Sequence, residues 1–327
     1  MKPMRLLAGL VLCAALAGSC GGGGAPDNPP APPPGPTFDA QRAFADLQAQ
    51  CAFGPRVPGS QAHQECRQFL IDRLNAAGAV VVVQDFTAHS VLTGSDYPAT
   101  NVLGLFAPDK TGEPLLLGAH WDSRARADQD PDPAKRGDPV PGANDGASGV
   151  AVLLELARAF AATPPPRPVV IGFFDAEDQG ASNGGGWAVG SRHLANNWPS
   201  ELPWPTEMIL LDLVGGDEVH NPAVGTPGYS NDLFDLPMEG HSFDAAPDLV
   251  DRIWTIAERL GHSAFQRRRG LPIEDDHLPF IERGVAAVDI IDFAPPEWHT
   301  THDTPENCAP TSLFQVGDTL LHFIYGQ

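Results

Sequence analysis

From Thr37 onward, hydrophobic and polar positions alternate between a helical and an extended period. Residues 40–50 and 62–78 place apolar side chains every three to four positions, which predicts two amphipathic helices, the second ending at Gly78. Apolar runs of strand length follow at 79–86, 101–106, 114–120, 169–176, 207–215 and 285–292. Helical patterns return at 147–162, 191–197, 249–261, 277–284 and 312–326. Helices and strands are therefore expected to alternate along most of the chain.

Strands that alternate with helices are typical of an α/β fold with a central, mixed but largely parallel sheet. The later apolar runs are too uniformly hydrophobic for strands with one wet face, so we expect helices to cover both faces of the sheet. The 327 residues suit one large α/β domain, and no internal repeat is visible. We expect this domain to span residues 37–327.

The N-terminal segment has the pattern of an export signal. Lys2 and Arg5 precede an apolar stretch that is too short to span a bilayer, and small residues follow it before Cys20. The run AGSC resembles a bacterial lipobox, although Ala17 stands where leucine is usual, and a plain secretory signal is the alternative. We therefore expect residues 1–19 to be a signal peptide and Cys20 to carry the lipid of an exported, membrane-anchored lipoprotein, periplasmic or on the cell surface. Residues 21–36 are Gly- and Pro-rich and predict a flexible tether.

The remaining cysteines lie in a chain that is expected to reach a compartment permitting disulfides. Cys51 and Cys66 flank a turn-rich segment and could form a disulfide, which would leave Cys308 as a free thiol. We favour this pairing, although a bond from Cys308 to either of the other two is also compatible with the sequence.

The composition changes the range of expected partners. The chain carries 20 Lys+Arg against 41 Asp+Glu, a formal net charge of −21. Such a charge repels phosphate backbones and anionic lipid head groups, so we expect no nucleic-acid partner. It favours cationic ligands, including the free amino termini of peptides, although many acidic surfaces are simply solvated.

Polar residues stand at or near the carboxyl ends of the predicted strands, where ligands bind in sheets of this type. They are His120, Asp145, Glu177, Asp178, Asp212 and His299. Taken singly, most have an ordinary explanation: His120 as a structural histidine, Asp145 as a helix cap, and the adjacent acids as a solvated loop. Asp212 is harder to explain, because a carboxylate inside an apolar strand is costly to bury without a cation or hydrogen-bond donors.

Taken together, these residues predict a metal site at one edge of the sheet. Histidine with several carboxylates and no cysteine suits zinc that retains an open catalytic position. Magnesium and calcium usually avoid imidazole.

The order of five motifs resembles the zinc aminopeptidase superfamily, peptidase family M28. They are AHWDS, GANDGASGVAVLLELAR, FFDAEDQG, LLDLVG and EWHTTHDT, which cover nearly all of the chain after the tether. The sequence is more similar to the glutaminyl cyclases within that superfamily, on the strength of GSRHLA at 190–195, EDDHLPFIERGV at 274–285, and Trp298 directly before His299. The resemblance implies a three-layer α/β sandwich with one catalytic zinc ion.

The resemblance also implies roles for individual residues. Asp145, Asp178 and His299 match the cyclase zinc ligands, and Glu177 matches the acid/base carboxylate. Asp178 departs from the pattern, because many relatives have glutamate there and the shorter side chain needs a slightly moved backbone. Trp298 is expected to flank the pocket for a glutamine side chain, and Trp187 is a further candidate for the pocket wall.

Two further positions bear on whether the enzyme is a one-zinc cyclase or a two-zinc aminopeptidase. His120 and Asp212 match the ligands that two-zinc aminopeptidases use for a second metal ion. In cyclases, the resemblance implies instead that Asp212 and Asp276 share a hydrogen-bond network near the reacting groups.

The sequence therefore predicts a zinc-dependent enzyme that cyclises the N-terminal glutamine of peptides or proteins and releases ammonia. One zinc ion is expected, the membrane is reached through the N-terminal lipid, and the chain is expected to be a monomer. A two-zinc aminopeptidase is the alternative. A non-catalytic lipoprotein that binds peptides or metal is a further alternative, against which the intact Glu177 argues.

Overall fold

The computed structural model describes residues 35–181, 184–217, 234–293 and 295–326. The helices in these ranges are α1 (Ala40–Ala52), α2 (Gln61–Ala76), α3 (Ala147–Ala162), α4 (Val189–Asn196), α5 (Gly240–Ala245), α6 (Pro247–Leu260), α7 (Leu278–Ile281) and α8 (Pro310–Tyr325). The strands are β1 (Val80–Ser90), β2 (Ser95–Phe106), β3 (Leu115–His120), β4 (Val169–Phe174), β5 (Glu207–Asp212), β6 (Leu236–Met238), β7 (Phe265–Arg269) and β8 (Ala286–Ile291). The expected signal peptide, Cys20 and most of the tether lie outside the described residues.

The main sheet has the strand order β1-β2-β4-β3-β5-β8. The four strands β4, β3, β5 and β8 run parallel, whereas β1 and β2 pair antiparallel with each other and β2 pairs antiparallel with β4. Every residue of β3 and β4 is buried, as their uniform hydrophobicity predicts. The predicted mixed, largely parallel sheet is confirmed.

Helices cover both faces of the sheet. Along β3, Leu115 and Leu117 belong to one hydrophobic cluster, which contains apolar residues of α1, α2, α3, α6 and α8. Leu116 belongs to a second cluster, which contains Leu194 of α4 and Phe280 of α7. Alternate residues of a strand point to opposite faces, so the two clusters lie on opposite sides of the sheet and the architecture has three layers.

Several elements differ from their predicted extent. β1 and β2 form a longer hairpin than expected, with Ser90 opposite Ser95, because the polar residues beyond the apolar runs continue the ladder. The predicted helix at 277–284 is reduced to α7 and a turn that ends at Gly284, whose φ is +82°. The short pair β6 and β7 and helix α5 were not predicted, and β7 exposes all of its residues after Phe265.

The cysteines Cys51, Cys66 and Cys308 are free thiols, so the Cys51–Cys66 disulfide considered above is wrong. Burial raises the pKa of the Cys51 thiol to about 11 and that of Cys66 to about 12. A buried, protonated thiol is a poor nucleophile for disulfide exchange. These cysteines therefore act as small apolar side chains of the core.

None of the helices in the described part of the chain combines the length and apolarity that crossing a bilayer requires.

Candidate active site and metal centre

The carboxyl ends of the parallel strands meet at one edge of the sheet, beside a cavity of about 350 Å³. His120 ends β3, Asp212 ends β5, and Glu177 follows β4 after two residues. The cavity is lined by Asp145, Glu177, Asp178, Trp187, Asp212, Leu213, Leu271, Pro272, Ile273, Glu274, Asp275, Ile291, Phe293, Trp298 and His299. The parallel topology thus brings polar residues from distant parts of the chain to one place.

Left-handed backbone conformations cluster around this cavity. Ala176 precedes Glu177 with a φ of +60°, Leu213 follows Asp212 with a φ of +51°, and His299 itself has a φ of +56°. Such conformations cost free energy in residues other than glycine and persist only where the surrounding structure enforces them. Their positions next to the polar residues are typical of a functional site.

A first group of possible metal ligands consists of Asp145, Asp178 and His299, all buried. His299 Nε2 lies 3.2 Å from Asp178 Oδ1 and 3.6 Å from Asp145 Oδ2. Asp145 Oδ2 and Asp178 Oδ2 are buried without any hydrogen-bond partner. Buried carboxylate oxygens normally have a donor or a cation, so this donor set fits a zinc ion.

A second group consists of His120, Asp145 and Asp212. His120 Nε2 lies 3.1 Å from Asp145 Oδ1 and 3.2 Å from Asp212 Oδ1. Burial opposes the charged form of the His120 ring, but the charge of Asp212 and hydrogen bonds to the surrounding carboxylates raise its pKa well above the usual value. Asp145 therefore belongs to both groups: its Oδ2 atom faces the first group and its Oδ1 atom faces the second.

The turn before α3 holds Asp145 in place. The N–H groups of Asn144 and Asp145 donate to the two oxygens of Asp303, at 2.7 and 3.1 Å. Gly146, and not Asp145, is the N-cap of α3, so the helix-cap explanation of Asp145 is wrong. Gly146 has a φ of +101°, and a Cβ there would lie 2.6 Å from the carbonyl oxygen of Asp122. Both its conformation and the space around it require glycine.

Glu177 lies on the cavity wall and is 7% exposed. Its N–H donates to Asp122 Oδ1 at 3.1 Å, which links the turn after β4 to the loop after β3. Burial raises the pKa of the Glu177 carboxyl well above its usual value, and the negative charges of Asp275 and Asp178 add to this shift. A carboxyl group with a raised pKa suits proton transfer near neutral pH.

The structure places Asp275, and not Asp276, on the cavity wall. Asp276 is wholly buried and does not line the cavity, whereas Asp275 does. Burial and the charges of Asp212 and Asp276 raise the pKa of the Asp275 carboxyl well above its usual value. The carboxyl group that lines the cavity together with Asp212 is therefore that of Asp275, one position before the predicted residue.

Aromatic side chains form the apolar part of the wall. The Trp298 ring stacks on the ring of His299 with centroids 3.7 Å apart, and Phe293 lies 5.4 Å from Trp298. The Trp187 ring also stacks on the ring of His299, with the two centroids 5.9 Å apart. Both tryptophans expected at the pocket therefore line it, although their roles in substrate binding stay predictions.

Sequence reasoning missed Asp122 and Asp303, which hold the backbone of the candidate site residues. Asp122 stands two positions after His120 in AHWDS, and its Oδ2 accepts from Gln179 Nε2 at 3.0 Å. Asp303 follows His299 in the EWHTTHDT motif. The sequence signal that could have identified them is that Asp122 lies close to His120 and Asp303 lies close to His299.

The fold and the buried carboxylate–imidazole groups together define a zinc-dependent α/β enzyme of the exopeptidase type. Residues 101–324 match Peptidase family M28, and the chain belongs to this family. The predicted family resemblance is thereby confirmed.

Relatives of known structure include both cyclases and exopeptidases. The chain is 37% identical to Tannerella forsythia glutaminyl cyclase with a TM-score of 0.81, over 89% of this chain and 100% of that chain. It is 35% identical to a Zn-dependent exopeptidase from Parabacteroides distasonis with a TM-score of 0.81, over 89% of this chain and 99% of that chain. A glutaminyl-peptide cyclotransferase-like protein of Mus musculus is 29% identical over 295 residues, which are 82% of this chain and 71% of the mouse protein.

Proposed function

We propose that the protein is a zinc-dependent glutaminyl-peptide cyclotransferase, which converts the N-terminal glutamine of peptides and proteins to pyroglutamate and releases ammonia. One observation carries this proposal: Glu177 lines the same cavity as the ligand group Asp145, Asp178 and His299, in which the Oδ2 atom of each aspartate lacks a hydrogen-bond partner. The similarity to a bacterial glutaminyl cyclase over almost the whole domain supports it.

The reaction requires two proton movements in a confined space. The neutral α-amino nitrogen forms a bond to the side-chain carbonyl carbon and loses one of its two protons, while the bond from that carbon to the amide nitrogen breaks. Glu177 takes the proton from the α-nitrogen and returns it to the leaving nitrogen, which departs as ammonia. A bound zinc ion would supply Lewis acidity that polarises the side-chain carbonyl. No water nucleophile is needed.

The other walls of the cavity bind and orient the substrate. Trp298 and Phe293 present apolar surface for the methylene groups of glutamine, and the carboxylate of Glu274 attracts the amino terminus while it is still cationic. The role predicted for Asp276, holding the leaving nitrogen through its hydrogens, passes to Asp275 because only Asp275 reaches the cavity.

We propose a single zinc ion, held by Asp145, Asp178 and His299. His120 supports this assignment because its Nε2 already contacts oxygens of Asp145 and Asp212, whereas the unpartnered Oδ2 atoms belong to Asp145 and Asp178. The grouping of His120, Asp145 and Asp212 nevertheless favours a second candidate function, a two-zinc aminopeptidase.

Mass spectrometry of a Gln-initiated peptide after incubation with the enzyme distinguishes these functions. A cyclotransferase yields a product that has lost ammonia, and an aminopeptidase yields one that has lost its first residue. An unchanged peptide would overturn both. Elemental analysis of the dialysed protein is the second measurement, and two equivalents of zinc would contradict the single-metal proposal.

We also propose that the mature protein is a monomer anchored to the membrane by lipid on Cys20. The lipid anchor is supported by the signal and lipobox pattern of the sequence alone, because Cys20 lies outside the described residues.

A further inference from the structure

The loop that follows β3 carries an ion pair between Arg124 and Asp128. Arg124 Nε donates to Asp128 Oδ1 at 2.8 Å, and Nη2 donates to Asp128 Oδ2 at 2.9 Å. The Arg124 side chain is 1% exposed and that of Asp128 is 32% exposed. Two parallel N–H···O bonds fix the relative orientation of the groups as well as their separation.

Each end of this pair reaches a different member of the ligand group. Arg124 Nη1 donates to Asp178 Oδ1 at 2.9 Å and to the Asp178 carbonyl oxygen at 3.2 Å. Asp128 Oδ1 lies 3.7 Å from His299 Nδ1, and the neighbouring Gln129 N–H donates to the His299 carbonyl oxygen at 3.2 Å. The pair therefore touches Asp178 and His299 from outside the ligand group.

Trp187 covers the same arrangement. The guanidinium carbon of Arg124 lies 5.0 Å from the ring centroid of Trp187, and the His299 ring stacks on Trp187 at 15° between the planes. An arginine over an aromatic face gains electrostatic attraction from the ring. The ring thus holds Arg124 and His299 against one surface.

We infer that Arg124 and Asp128 are a positioning pair that orients Asp178 and His299 and sets the zinc affinity of the site. The inference rests on the metal centre of the proposed function but not on the reaction that follows. Arg124 engages Asp178 Oδ1, so Oδ2, which has no partner, is the oxygen left for a metal ion. Asp128 faces His299 Nδ1 and leaves Nε2 toward Asp178 and Asp145.

The matching signal in the sequence is the charged segment DSRARAD, which a reading for catalytic groups leaves without a role. The simpler explanation of the Arg124–Asp128 pair is that it only stabilises the loop, and this explanation predicts a different effect of mutations on zinc binding. Such a pair would stabilise the loop without changing how tightly a folded protein binds zinc. Residues that orient metal ligands typically change metal affinity by 10- to 100-fold when they are replaced.

Zinc affinity, measured by competition with a chromophoric chelator, tests the inference. Arg124→Lys keeps the positive charge but cannot hold Asp128 and Asp178 with one planar fork. We expect its zinc dissociation constant to rise by about 10- to 100-fold. Asp128→Asn is a milder change at a partly exposed side chain, and we expect a rise of about 10-fold.

Arg158→Lys is the matched control, because Arg158 also bridges two carboxylates, but these are Asp46 and Glu155, which do not belong to the ligand group. It should lower the melting temperature and leave zinc affinity unchanged. Arg124→Lys combined with Asp128→Asn should weaken zinc binding no more than Arg124→Lys alone, since the two residues act as one unit.

Unchanged zinc affinity in folded Arg124→Lys and Asp128→Asn would overturn the inference and leave the pair a structural one. Should Arg124→Lys fail to fold, the zinc affinity of Asp128→Asn decides whether the inference holds. A wild-type protein that binds no zinc overturns the metal centre itself, whereas a protein that binds zinc and removes whole residues from peptides overturns only the proposed reaction.

Discussion

Glu177 and Asp178 are adjacent carboxylates in opposite electrostatic surroundings. Burial raises the pKa of Glu177, and the opposing charge of His120 does not offset this shift, to which the charges of Asp275 and Asp178 add. Burial also acts on Asp178, but His299 and Arg124 outweigh it and lower the pKa of that carboxyl below its usual value. Carboxylates whose environments separate their pKa values are suited to different tasks. This contrast agrees with a proton-moving role for Glu177 and a ligand role for Asp178.

Glu177→Gln keeps the size of the side chain and removes its capacity to carry a proton. We expect kcat on a Gln-initiated peptide to fall by roughly 10² to 10⁴, the usual contribution of a positioned acid/base group. Steady-state kinetics with elemental analysis checks this, and zinc content and KM should change little.

Asp178→Ala is the contrasting variant at the next position. It should lower zinc occupancy because the side chain is assigned to the metal. Zinc lost from Glu177→Gln but retained by Asp178→Ala would reverse the two roles.

Glu239 anchors the wall of the cavity from behind. It is 1% exposed, and its Oε1 accepts from the N–H of Ile273 at 2.9 Å while Oε2 accepts from the N–H of Ser242 at 2.7 Å. Desolvation opposes its charge, but His277, 3.2 Å away, and Ser242 lower its pKa to about 2. Ile273 lines the cavity, so Glu239 fixes part of its wall.

The stabilisation by Glu239 should depend on pH. Its folded-state pKa lies below the usual value of 4.5, so the stabilisation is complete above pH 4.5 and is lost as the pH falls toward 2. We expect Glu239→Gln to melt several degrees below wild type at pH 7, with a gap that narrows below pH 4.5. Thermal melting monitored by circular dichroism from pH 7 to pH 3 measures it.

Glu282→Gln is the control for that experiment, because Glu282 forms an exposed ion pair with Arg192 and should produce almost no gap. A Glu239→Gln gap of equal size at pH 7 and pH 3 would show that the carboxylate charge is not responsible.

The location of a site residue could be predicted from the sequence where that residue ends a strand. His120 and Asp212 end buried strands, so their side chains had to meet at one edge of the sheet. Asp275 and Asp276 are adjacent in a loop, and only the path of the backbone decides which one faces the cavity. Arg124 lies in a charged segment that resembles solvated surface, and its burial depends on contacts with residues far away in sequence.

At the scale of elements, the packing of α3 against the sheet sets the distance between the candidate ligands. Asp145 precedes α3, and Asp212 ends β5. Gly149 of α3 lies against β5 so closely that a Cβ would be 2.3 Å from the carbonyl oxygen of Leu211. The absent side chain lets the helix approach the strand that carries Asp212.

Gly149→Ala should therefore displace α3 and destabilise the protein. Overpacking of a close contact costs about 1–3 kcal/mol, which corresponds to a decrease of about 2–12 °C in Tm for a domain of this size. Because α3 follows Asp145 directly, zinc affinity should decrease as well. Gly137→Ala is the control, since a Cβ there meets no atom within 4 Å. A Tm equal to that of wild type for Gly149→Ala would show that the helix and strand can separate without cost.

The strands that the hydrophobic pattern predicted well are those that lie buried inside the sheet. β3, β4, β5 and β8 read as continuous apolar runs because helices cover both faces. The outer half of the β1–β2 hairpin and strand β7 expose much of their surface, so their strand character comes from backbone pairing and leaves no hydrophobic pattern.

At the scale of the whole molecule, the described domain begins with a contact to its last helix. Phe38 is 6% exposed and packs directly on Gly317 of α8, where a Cβ would lie 2.1 Å from the Phe38 ring. The N–H of Arg42 donates to Asp39 Oδ1 at 3.0 Å, which caps α1. Residues before Phe38 can therefore be removed without loss of these contacts, whereas Phe38 and Asp39 cannot.

The net charge of −21 makes the source of any membrane association testable. A surface of this charge is repelled by anionic lipid head groups, so the lipid proposed on Cys20 is the expected source of any binding to membranes. We expect the full-length protein to fractionate with bacterial membranes, and Cys20→Ala and a form beginning at Thr37 to be found in the soluble fraction.

The Thr37 form should keep the Tm and zinc content of the full-length protein, while a form beginning at Ala40 should melt lower because it lacks the Phe38 contact and the Asp39 cap. Cys20→Ala that still sediments with membranes after a high-salt wash would rule out the lipid as the anchor.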